Sequence, residues 1–267
     1  MSDKRVKTGI SGLDEMLDGG FLQNSANLIE GAPGTGKTTI ALQFIYNGIT
    51  KFNENGLIIS FEEFPTQYYH DAMEFGWDLK VLEKENKLKI IFSTPETILK
   101  EINDGNGELV KIIEENNIKR VIIDSITHFD SLTQNIQDLR EIERQIVNGF
   151  KREGVTAIFI RENDSILGQI AATNSKIPFV VDSYIFLRYV EIDSEIQKAL
   201  TIFKMRGSDH QKDIRRYHCT SNGIEVESKF IGREGIMSGS SRAATTPQDA
   251  FVNVFGKRKT SGIPITR

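Results

Sequence analysis

Short apolar runs alternate with longer amphipathic segments over the first two-thirds of the chain. The runs lie at 27–30, 57–61, 87–92, 120–124 and 155–160. Runs of this length, bounded by polar turns, are typical of strands that are buried on both faces. Between them, apolar residues recur every three or four positions, as in 136–150, which predicts one buried stripe of a helix. The alternation predicts an α/β fold with a mostly parallel central sheet and helices on both faces.

Capping and turn residues predict where several helices begin and end. Ser11 is a candidate N-cap for a short helical lid over residues 8–20. Pro65 is expected to open a helix over 65–75, because proline is tolerated in the first helical turn. The segment 96–117 is expected to be mostly helical, with a glycine-containing break near its middle.

The rhythm changes after about residue 177. Segments 179–192, 199–205 and 214–220 are strand-like, with no helix of comparable length between them. They predict antiparallel hairpins added to one edge of the sheet near the C-terminus. Beyond these segments the chain becomes polar, with Gly, Ser and Thr dominant. We therefore expect one domain over residues 1–230 and a polar, basic tail over 231–267 that is poorly ordered alone.

Composition narrows the class of protein. The 267 residues are 39% hydrophobic and 26% charged, which is ordinary for a soluble globular protein. The single cysteine, Cys219, excludes an internal disulfide framework and favours a cytoplasmic location, and no apolar run is long enough to span a membrane. Net charge is −4, but residues from Gly232 onward carry +4 and the rest carry −8. Nucleic acid is therefore not the expected partner, and any contact with it would be confined to the tail.

Residues 31–38, Gly-Ala-Pro-Gly-Thr-Gly-Lys-Thr, match the phosphate-loop pattern G-x-x-x-x-G-K-[ST] at every fixed position. Glycines remove side chains where backbone N–H groups must wrap a polyphosphate, and the next helix points its N-terminus at the same anion. Lys37 is expected to contact the β- and γ-phosphates of ATP, and Thr38 to bind Mg²⁺. The nucleotide-binding residues predicted here are Gly34, Thr35, Gly36, Lys37, Thr38 and Thr39.

Carboxylates follow two of the predicted strands. Asp124 closes the run 120–124, a position typical of an aspartate that holds the metal beside a phosphate loop. Glu62 and Glu63 follow the run 57–61, and ligands bind outside the carboxyl ends of parallel strands. Because hydrolysis needs a carboxylate that deprotonates water near the γ-phosphate, we favour Glu62 as the catalytic base with Glu63 beside it. The alternative is that both are solvated surface acids.

Lys204 and Arg206 alternate on a predicted strand, so both side chains emerge on the same side. Two adjacent cations repel each other unless an anion lies between them. A nucleotide held by a neighbouring subunit would be such an anion, and Arg206 would then be an arginine finger supplied in trans. The alternative is a solvated edge strand.

Six segments occur in one order that resembles the KaiC family of RecA-type ATPases. They are the phosphate loop, Ser60-Phe61-Glu62-Glu63, Phe75-Gly76-Trp77-Asp78, Asp124-Ser125, Tyr189-Val190-Glu191-Ile192 and Phe203-Lys204-Met205-Arg206-Gly207-Ser208. The likeness covers about residues 6–244, and the last two segments are most similar to the second repeat of the two-repeat members. Each segment alone is a weak pattern, whereas their combination is specific.

The resemblance implies a RecA-type P-loop fold and a homo-oligomeric, hexameric ring that holds ATP between neighbours. It implies slow hydrolysis of ATP–Mg²⁺ in signalling or clock-like regulation, with a protein partner possible. Thr38 and, through water, Asp124 would hold the metal, and Glu62 would be the base. The residues implied to contact the neighbour's nucleotide are Lys204, Met205, Arg206, Ser208 and His210, and Phe75 stands where the family can place an aromatic ring against adenine.

Two departures from the family pattern leave other functions open. An adjacent Ser-Thr pair is autophosphorylated in the family's second repeat, but Pro178-Phe179 stands here and cannot accept phosphate. Asp209 places an acid beside the proposed trans contacts and is expected to weaken them. A serine/threonine autokinase, a DNA-binding recombinase and a nucleotide-gated scaffold are the alternatives. Hydroxyls that an autokinase could modify are Thr173, Ser175, Thr260 and Ser261.

The remaining aromatic, histidine and cysteine residues have no assigned chemistry. Trp77 is expected to pack in the core, and Cys219 is expected to be inert in a strand. The histidines His70, His128 and His218 lack metal-ligand spacing, so we expect them at the surface or in the core.

Overall fold

The structure, a computed structural model, describes residues 4–166, 175–236 and 242–243. The strands are β1 (Arg5–Val6), β2 (Phe21–Leu22), β3 (Ala26–Gly31), β4 (Asn55–Ser60), β5 (Leu88–Phe92), β6 (Ile118–Asp124), β7 (Thr156–Glu162), β8 (Ser183–Ile192), β9 (Glu195–Met205), β10 (Arg215–Thr220), β11 (Gly223–Lys229), β12 (Arg233–Glu234) and β13 (Arg242–Ala243). β1 pairs with β2, and β12 pairs with β13. The other nine form one sheet in the order β11-β10-β9-β8-β3-β7-β6-β4-β5.

The direction of the strands divides this sheet into two parts. β8, β3, β7, β6, β4 and β5 run parallel to one another, as the continuous apolar runs predict. β9, β10 and β11 are each antiparallel to their neighbours and form one edge. Both the parallel centre and the antiparallel edge are confirmed.

Helices cover both faces of the parallel part. They are α1 (Leu13–Met16), α2 (Lys37–Phe52), α3 (Pro65–Met73), α4 (Leu79–Lys84), α5 (Pro95–Asn103), α6 (Glu108–Glu115), α7 (Ile136–Arg152) and α8 (Ile177–Val180), with a 3₁₀ helix at Ile126–Leu132. Alternate strand residues point to opposite faces, so Ile58 and Ile122 join the core under α2 while Leu57 and Val121 join the core under α7. Among the described residues, none of the helices combines the length and apolar character that crossing a bilayer requires.

The N-terminal helix begins one residue later than the sequence suggests. Gly12, rather than Ser11, is the N-cap of α1, with φ of 76°. A Cβ at this position would lie 2.1 Å from the carbonyl oxygen of Val226, so the close approach of β11 requires glycine. The Asp14 carboxylate accepts hydrogen bonds from Thr8 N at 2.7 Å and Gly9 N at 3.0 Å, which fixes the turn in place of a serine cap.

Three local elements differ from the sequence predictions. The segment before β5, for which the sequence pattern predicted no helix, contains α4, whose N-cap Asp78 accepts a hydrogen bond from Val81 N at 3.1 Å. The run 179–192 starts with the last residues of α8, because Pro178 sits in the first turn of that helix. β11 was not predicted, and it pairs with β10 to form the outermost strand.

The register of the sheet places the ends of four strands together. Gly31 of β3 pairs with Glu162 of β7, and Ser60 of β4 pairs with Asp124 of β6. These residues are all at the carboxyl edge, where ligands bind in open parallel sheets. The antiparallel strand β9 ends at the opposite, amino edge, because Met205 pairs with Ser183 at the start of β8.

Candidate nucleotide-binding site

The phosphate loop joins β3 to α2 and is built where only glycine fits. Gly34 and Gly36 have φ of 75° and 95°, in the left-handed region. A Cβ on Gly31 would lie 2.6 Å from the carbonyl oxygen of Leu187 in β8, and a Cβ on Gly34 would lie 2.6 Å from Tyr189 Oη. The loop is therefore pressed against β8 and leaves its other side open.

Two tyrosines, one from β8 and one from β10, hold the loop in this shape. Tyr217 of β10, which is buried, donates a hydrogen bond to the Thr35 carbonyl oxygen at 2.5 Å. Tyr189 of β8 donates to the Pro33 carbonyl oxygen at 3.2 Å. The Thr35 hydroxyl donates within the loop to Ala32 O at 2.7 Å. The loop is thus preorganised by side chains as well as by its glycines.

Tyr217→Phe is expected to destabilise the protein by about 1–3 kcal/mol, because it leaves the buried Thr35 carbonyl without its donor. Urea denaturation with and without ATP–Mg²⁺ measures the change, and weaker stabilisation by nucleotide should accompany it. Tyr46→Phe is the matched control. The ring of Tyr46 stacks on Trp77, with 5.4 Å between ring centroids, and does not hold the phosphate loop. Equal destabilisation by the two variants would contradict the role of Tyr217.

Lys37 is buried at the start of α2 and points into the loop. Its Nζ donates to Ala32 O at 3.1 Å. Burial lowers the pKa of Lys37, while Glu162, Asp124 and Glu30 act in the opposite direction. The ammonium therefore lies at the phosphate loop. A bound phosphate would supply the negative charge that offsets the cost of burying the ammonium.

Thr38 and Asp124 form the candidate metal site. The Thr38 hydroxyl donates to Asp124 Oδ2 at 3.0 Å, and the Tyr68 hydroxyl donates to the same oxygen at 3.2 Å. Burial raises the pKa of Asp124, and the hydrogen bonds from Thr38 and Tyr68 lower it. The buried Ser125 Oγ next to them has no hydrogen-bond partner among the described residues. These hard oxygen atoms fit Mg²⁺, and Ser125 is free to bind one of its water ligands.

Acidic side chains line a cleft of about 100 Å³ beside this pair. Its described lining residues are Lys37, Thr38, Ser60, Glu62, Glu63, Tyr68, Asp124, Ser125, His128 and Glu162. Burial and the neighbouring Asp124 raise the pKa of Glu63. The Ser60 hydroxyl fixes the backbone at Glu63 by accepting from its N–H at 3.1 Å and donating to its carbonyl at 2.7 Å. The side chain of Glu62 is 71% exposed.

Two residues in this cleft were missed or misplaced by the sequence reasoning. Glu162 is the last residue of β7, two residues beyond the apolar run 155–160; its place at a strand end could be inferred from the sequence, but not which strand ends lie beside it. His128, expected in a generic surface or core position, lies in the cleft with Nε2 at 3.6 Å from Glu62 Oε2. The 3₁₀ helix that follows β6 brings it there, and sequence pattern did not predict that helix.

A second, wider cleft of about 440 Å³ continues from the phosphate loop towards the antiparallel edge. It is lined by Gly34, Gly36, Lys37, Thr38, Thr39, Glu63, Asp71, Lys198, Cys219 and Ile224. Cys219 lies in strand β10, as predicted, and its side chain is exposed at this cleft. Phe75 is not among the described residues that line either cleft. It stacks on the buried Trp77 at 4.7 Å between ring centroids, and Trp77 packs in the core as predicted.

Lys204 and Arg206 emerge on the same side, as their alternation predicts. Lys204 Nζ donates to Pro178 O at 2.8 Å and Val181 O at 2.6 Å. Arg206 donates to Phe179 O at 2.5 Å and Val180 O at 3.3 Å. Burial and the neighbouring Arg206 lower the pKa of Lys204. We call Lys204 and Arg206 the cation pair. The cation pair donates its hydrogen bonds to carbonyl oxygens of α8 and of the residue that follows it.

The residues around the cation pair have different environments. Met205 is buried in the core, and Ser208 Oγ accepts a hydrogen bond from Arg5. His210 Nδ1 is buried and has no hydrogen-bond partner among the described residues. Asp209 pairs with Lys212 at 2.5 Å instead of approaching the cation pair. Its expected weakening of the trans contacts therefore has no support in this geometry.

The cation pair and the phosphate loop of one protomer lie at opposite edges of the sheet. Along β8, Ser183 pairs with Met205, and Leu187 pairs with Gly31 at the start of the loop. Those four residues of strand span about 13 Å, and the loop extends further in the same direction. Arg206 of a protomer is therefore not placed to contact a nucleotide in that protomer's own loop.

The candidate phosphorylation sites are placed only in part. Ser175 is buried, and its hydroxyl hydrogen-bonds to the Glu143 carboxylate. Pro178 and Phe179 belong to α8. Thr173, Thr260 and Ser261 lie outside the described residues, as does most of the predicted tail.

Comparison with known proteins agrees with this geometry. A family model described as "ATPase: KaiC" matches residues 6–230. The circadian clock oscillator protein KaiC of Nostoc sp. is 33% identical over 263 residues, covering 96% of this chain and 49% of the relative. The proteins of the same name from Synechococcus elongatus and Parathermosynechococcus lividus are 33% and 37% identical, covering 92% and 90% of this chain.

The alignments cover nearly all of this chain but only about half of each relative. The alignments take up 47% of the Synechococcus elongatus protein and 43% of the Parathermosynechococcus lividus protein. This chain thus spans about half the length of the curated relatives it matches. Both the family match and the identities cover nearly all of the RecA-type domain described above. The chain belongs to the KaiC family of ATPases.

Proposed function

We propose that this chain binds ATP–Mg²⁺ at the seam between protomers of a homo-oligomeric, hexameric ring and hydrolyses it slowly, in signalling or clock-like regulation. The observation that carries the proposal is the separation of the cation pair from the phosphate loop across the sheet. A head-to-tail ring brings the carboxyl edge of one protomer against the amino edge of the next.

The residues have separate roles in this mechanism. Lys37 and the loop amides hold the phosphates, and Thr38 and Asp124 hold Mg²⁺, which when bound neutralises charge on the phosphoryl oxygens. Glu62 takes the proton of the attacking water, because its exposed side chain lines the cleft. Arg206 of the next protomer donates hydrogen bonds to the transferring phosphoryl group. In the isolated protomer its guanidinium is held by carbonyls of α8, from which it can be redirected.

Size-exclusion chromatography with light scattering tests the assembly. In a non-hydrolysable ATP analogue with Mg²⁺ the expected result is a closed ring, and in ADP a smaller species or a mixture. A monomer at saturating analogue would refute the shared site. The same samples can be assayed for phosphate release, which separates failure of assembly from failure of hydrolysis.

Cys219 offers a direct measurement of nucleotide binding, because it is the only cysteine and lines the wider cleft with Gly34 and Thr38. ATP–Mg²⁺ is expected to slow its alkylation by a maleimide several-fold by covering the thiol. Burial raises the pKa of Cys219, so labelling without nucleotide should accelerate as pH rises above neutral.

Lys37→Ala is the matched control for this labelling. It should remove the protection by ATP while leaving the rate without nucleotide close to that of the wild type, since the hydrogen bond of the Lys37 side chain goes to Ala32 O. Equal protection in the variant would show that ATP does not bind at the phosphate loop.

A further inference from the structure

His128 lies where it can act on the proposed catalytic base. Its Nε2 is 3.6 Å from Glu62 Oε2, and its ring packs against Phe61 at 5.9 Å between centroids. The backbone N–H of His128 donates to Ser125 O at 3.3 Å, which anchors the residue at the start of the 3₁₀ helix. Its side chain is 34% exposed, so protons from solvent can reach it.

Two other charged groups of the cleft, Lys37 and Asp124, are held by hydrogen bonds of their own. Lys37 donates to the phosphate loop, and Asp124 accepts from Thr38 and Tyr68. The titratable and charged groups that face the cleft with His128 are Lys37 from α2, Glu62 and Glu63 from the β4–α3 turn, Tyr68 from α3, Asp124 from β6 and Glu162 from β7. Among the described residues, His128 is the ion-pair partner found within 4.0 Å of Glu62.

The charge of His128 decides what this contact does to Glu62. Histidine changes charge between about pH 5 and 8. At 3.6 Å the two groups are too far apart for a neutral imidazole to hold the carboxylate by a strong hydrogen bond. A protonated imidazole attracts the carboxylate and engages oxygen atoms that would otherwise face the attacking water. The same attraction draws Glu62 towards the wall of the cleft that carries the 3₁₀ helix.

We propose that His128 is a positioning residue for Glu62, and that its protonation slows ATP hydrolysis by engaging the carboxylate. The inference rests on the proposed ATPase mechanism, in which Glu62 is the base. Hydrolysis in the wild type should therefore fall as pH drops through the range in which histidine gains its proton. Nucleotide binding should not follow this change, because His128 lies on the Glu62 side of the cleft and Lys37 on the loop side.

The test compares turnover at saturating ATP–Mg²⁺ from pH 8 to pH 6 in the wild type, His128→Asn and His128→Lys. An exposed ion pair is worth up to about 1 kcal/mol, so turnover of the wild type should fall by up to about fivefold more than that of His128→Asn. His128→Lys carries a permanent charge and should be slow already at pH 8. Affinity for a fluorescent ATP analogue should be equal in the three proteins at each pH.

His218→Asn is the matched control, because His218 also faces carboxylates, Glu225 at 3.9 Å and Glu227 at 3.1 Å, but lies on β10 outside the cleft. It should keep the wild-type profile. Superimposable profiles for the wild type and His128→Asn, or fast turnover of His128→Lys at pH 8, would overturn the role of His128 while leaving the ATPase proposal intact. An absence of hydrolysis in the wild type at every pH would instead refute the proposed function.

Discussion

Arg206→Ala is expected to lower ATP turnover of the assembled protein by at least about 10³-fold, the value of arginine fingers in other phosphoryl-transfer enzymes. The effect is large because the planar guanidinium donates several hydrogen bonds to the equatorial phosphoryl oxygens as charge develops there. Arg206→Lys keeps the positive charge but loses the planar arrangement of several N–H donors, and it should recover only part of the rate. Steady-state phosphate release at saturating ATP–Mg²⁺ measures all three proteins.

The control for this prediction must separate chemistry from folding. Arg206 also donates to two carbonyls of α8, but Lys204 still donates to Pro178 O and Val181 O in the variant, so α8 should remain in place. Arg216→Ala removes a half-exposed arginine of β10 that pairs with Glu227 at 3.9 Å, and it should leave turnover near that of the wild type. If Arg206→Ala kept the wild-type rate, or if Arg216→Ala lost as much, the finger assignment would be wrong.

Glu62→Gln is expected to reduce turnover by about 10²–10⁴-fold while ATP stays bound, because glutamine keeps the shape of glutamate but cannot accept the proton from water. The Lys37, Thr38 and Asp124 contacts do not involve Glu62, so nucleotide affinity should be unchanged. Single-turnover hydrolysis and protection of Cys219 from maleimide measure the two properties on one sample.

Glu63→Gln is the matched comparison for Glu62→Gln, because Glu63 is the carboxylate next to Glu62 in the same cleft. Ser60 fixes the backbone of Glu63 by two hydrogen bonds, whereas the side chain of Glu62 is 71% exposed at the cleft, so we expect Glu62 to reach the attacking water more readily. Replacement of Glu63 should therefore cost less than that of Glu62. A larger loss in Glu63→Gln would transfer the role of base to Glu63, and parent rates in both variants would remove the carboxylate mechanism altogether.

Much of this fold could be predicted because its physical causes are local. Apolar runs predicted the buried parallel strands, and the glycine spacing of residues 31–38 predicted a loop that Leu187 and Tyr189 indeed press closely. Asp124 and Glu62 were found because both follow apolar runs whose carboxyl ends face one edge.

The remaining parts depend on strand order and on contacts between distant segments. Glu162 joins the cleft because β7 lies between β3 and β6, an order that periodicity does not reveal. Gly12 replaces Ser11 as the N-cap because of β11, more than 200 residues away in sequence. Phe75 was considered for the adenine site, but its ring stacks on Trp77. The strand alternation predicted that Lys204 and Arg206 share a side, but not that α8 carbonyls receive them.

Co-expression of Arg206→Ala and Glu62→Gln chains with different affinity tags, followed by tandem purification, tests the shared seam most directly. A seam with the Arg206→Ala protomer on the loop side and the Glu62→Gln protomer on the finger side contains every proposed residue. In randomly mixed rings about a quarter of the seams are of this kind, so the mixed oligomer should regain about a quarter of wild-type turnover. Turnover no higher than that of either variant alone, or failure to isolate a mixed oligomer, would contradict a nucleotide site completed by the neighbouring protomer.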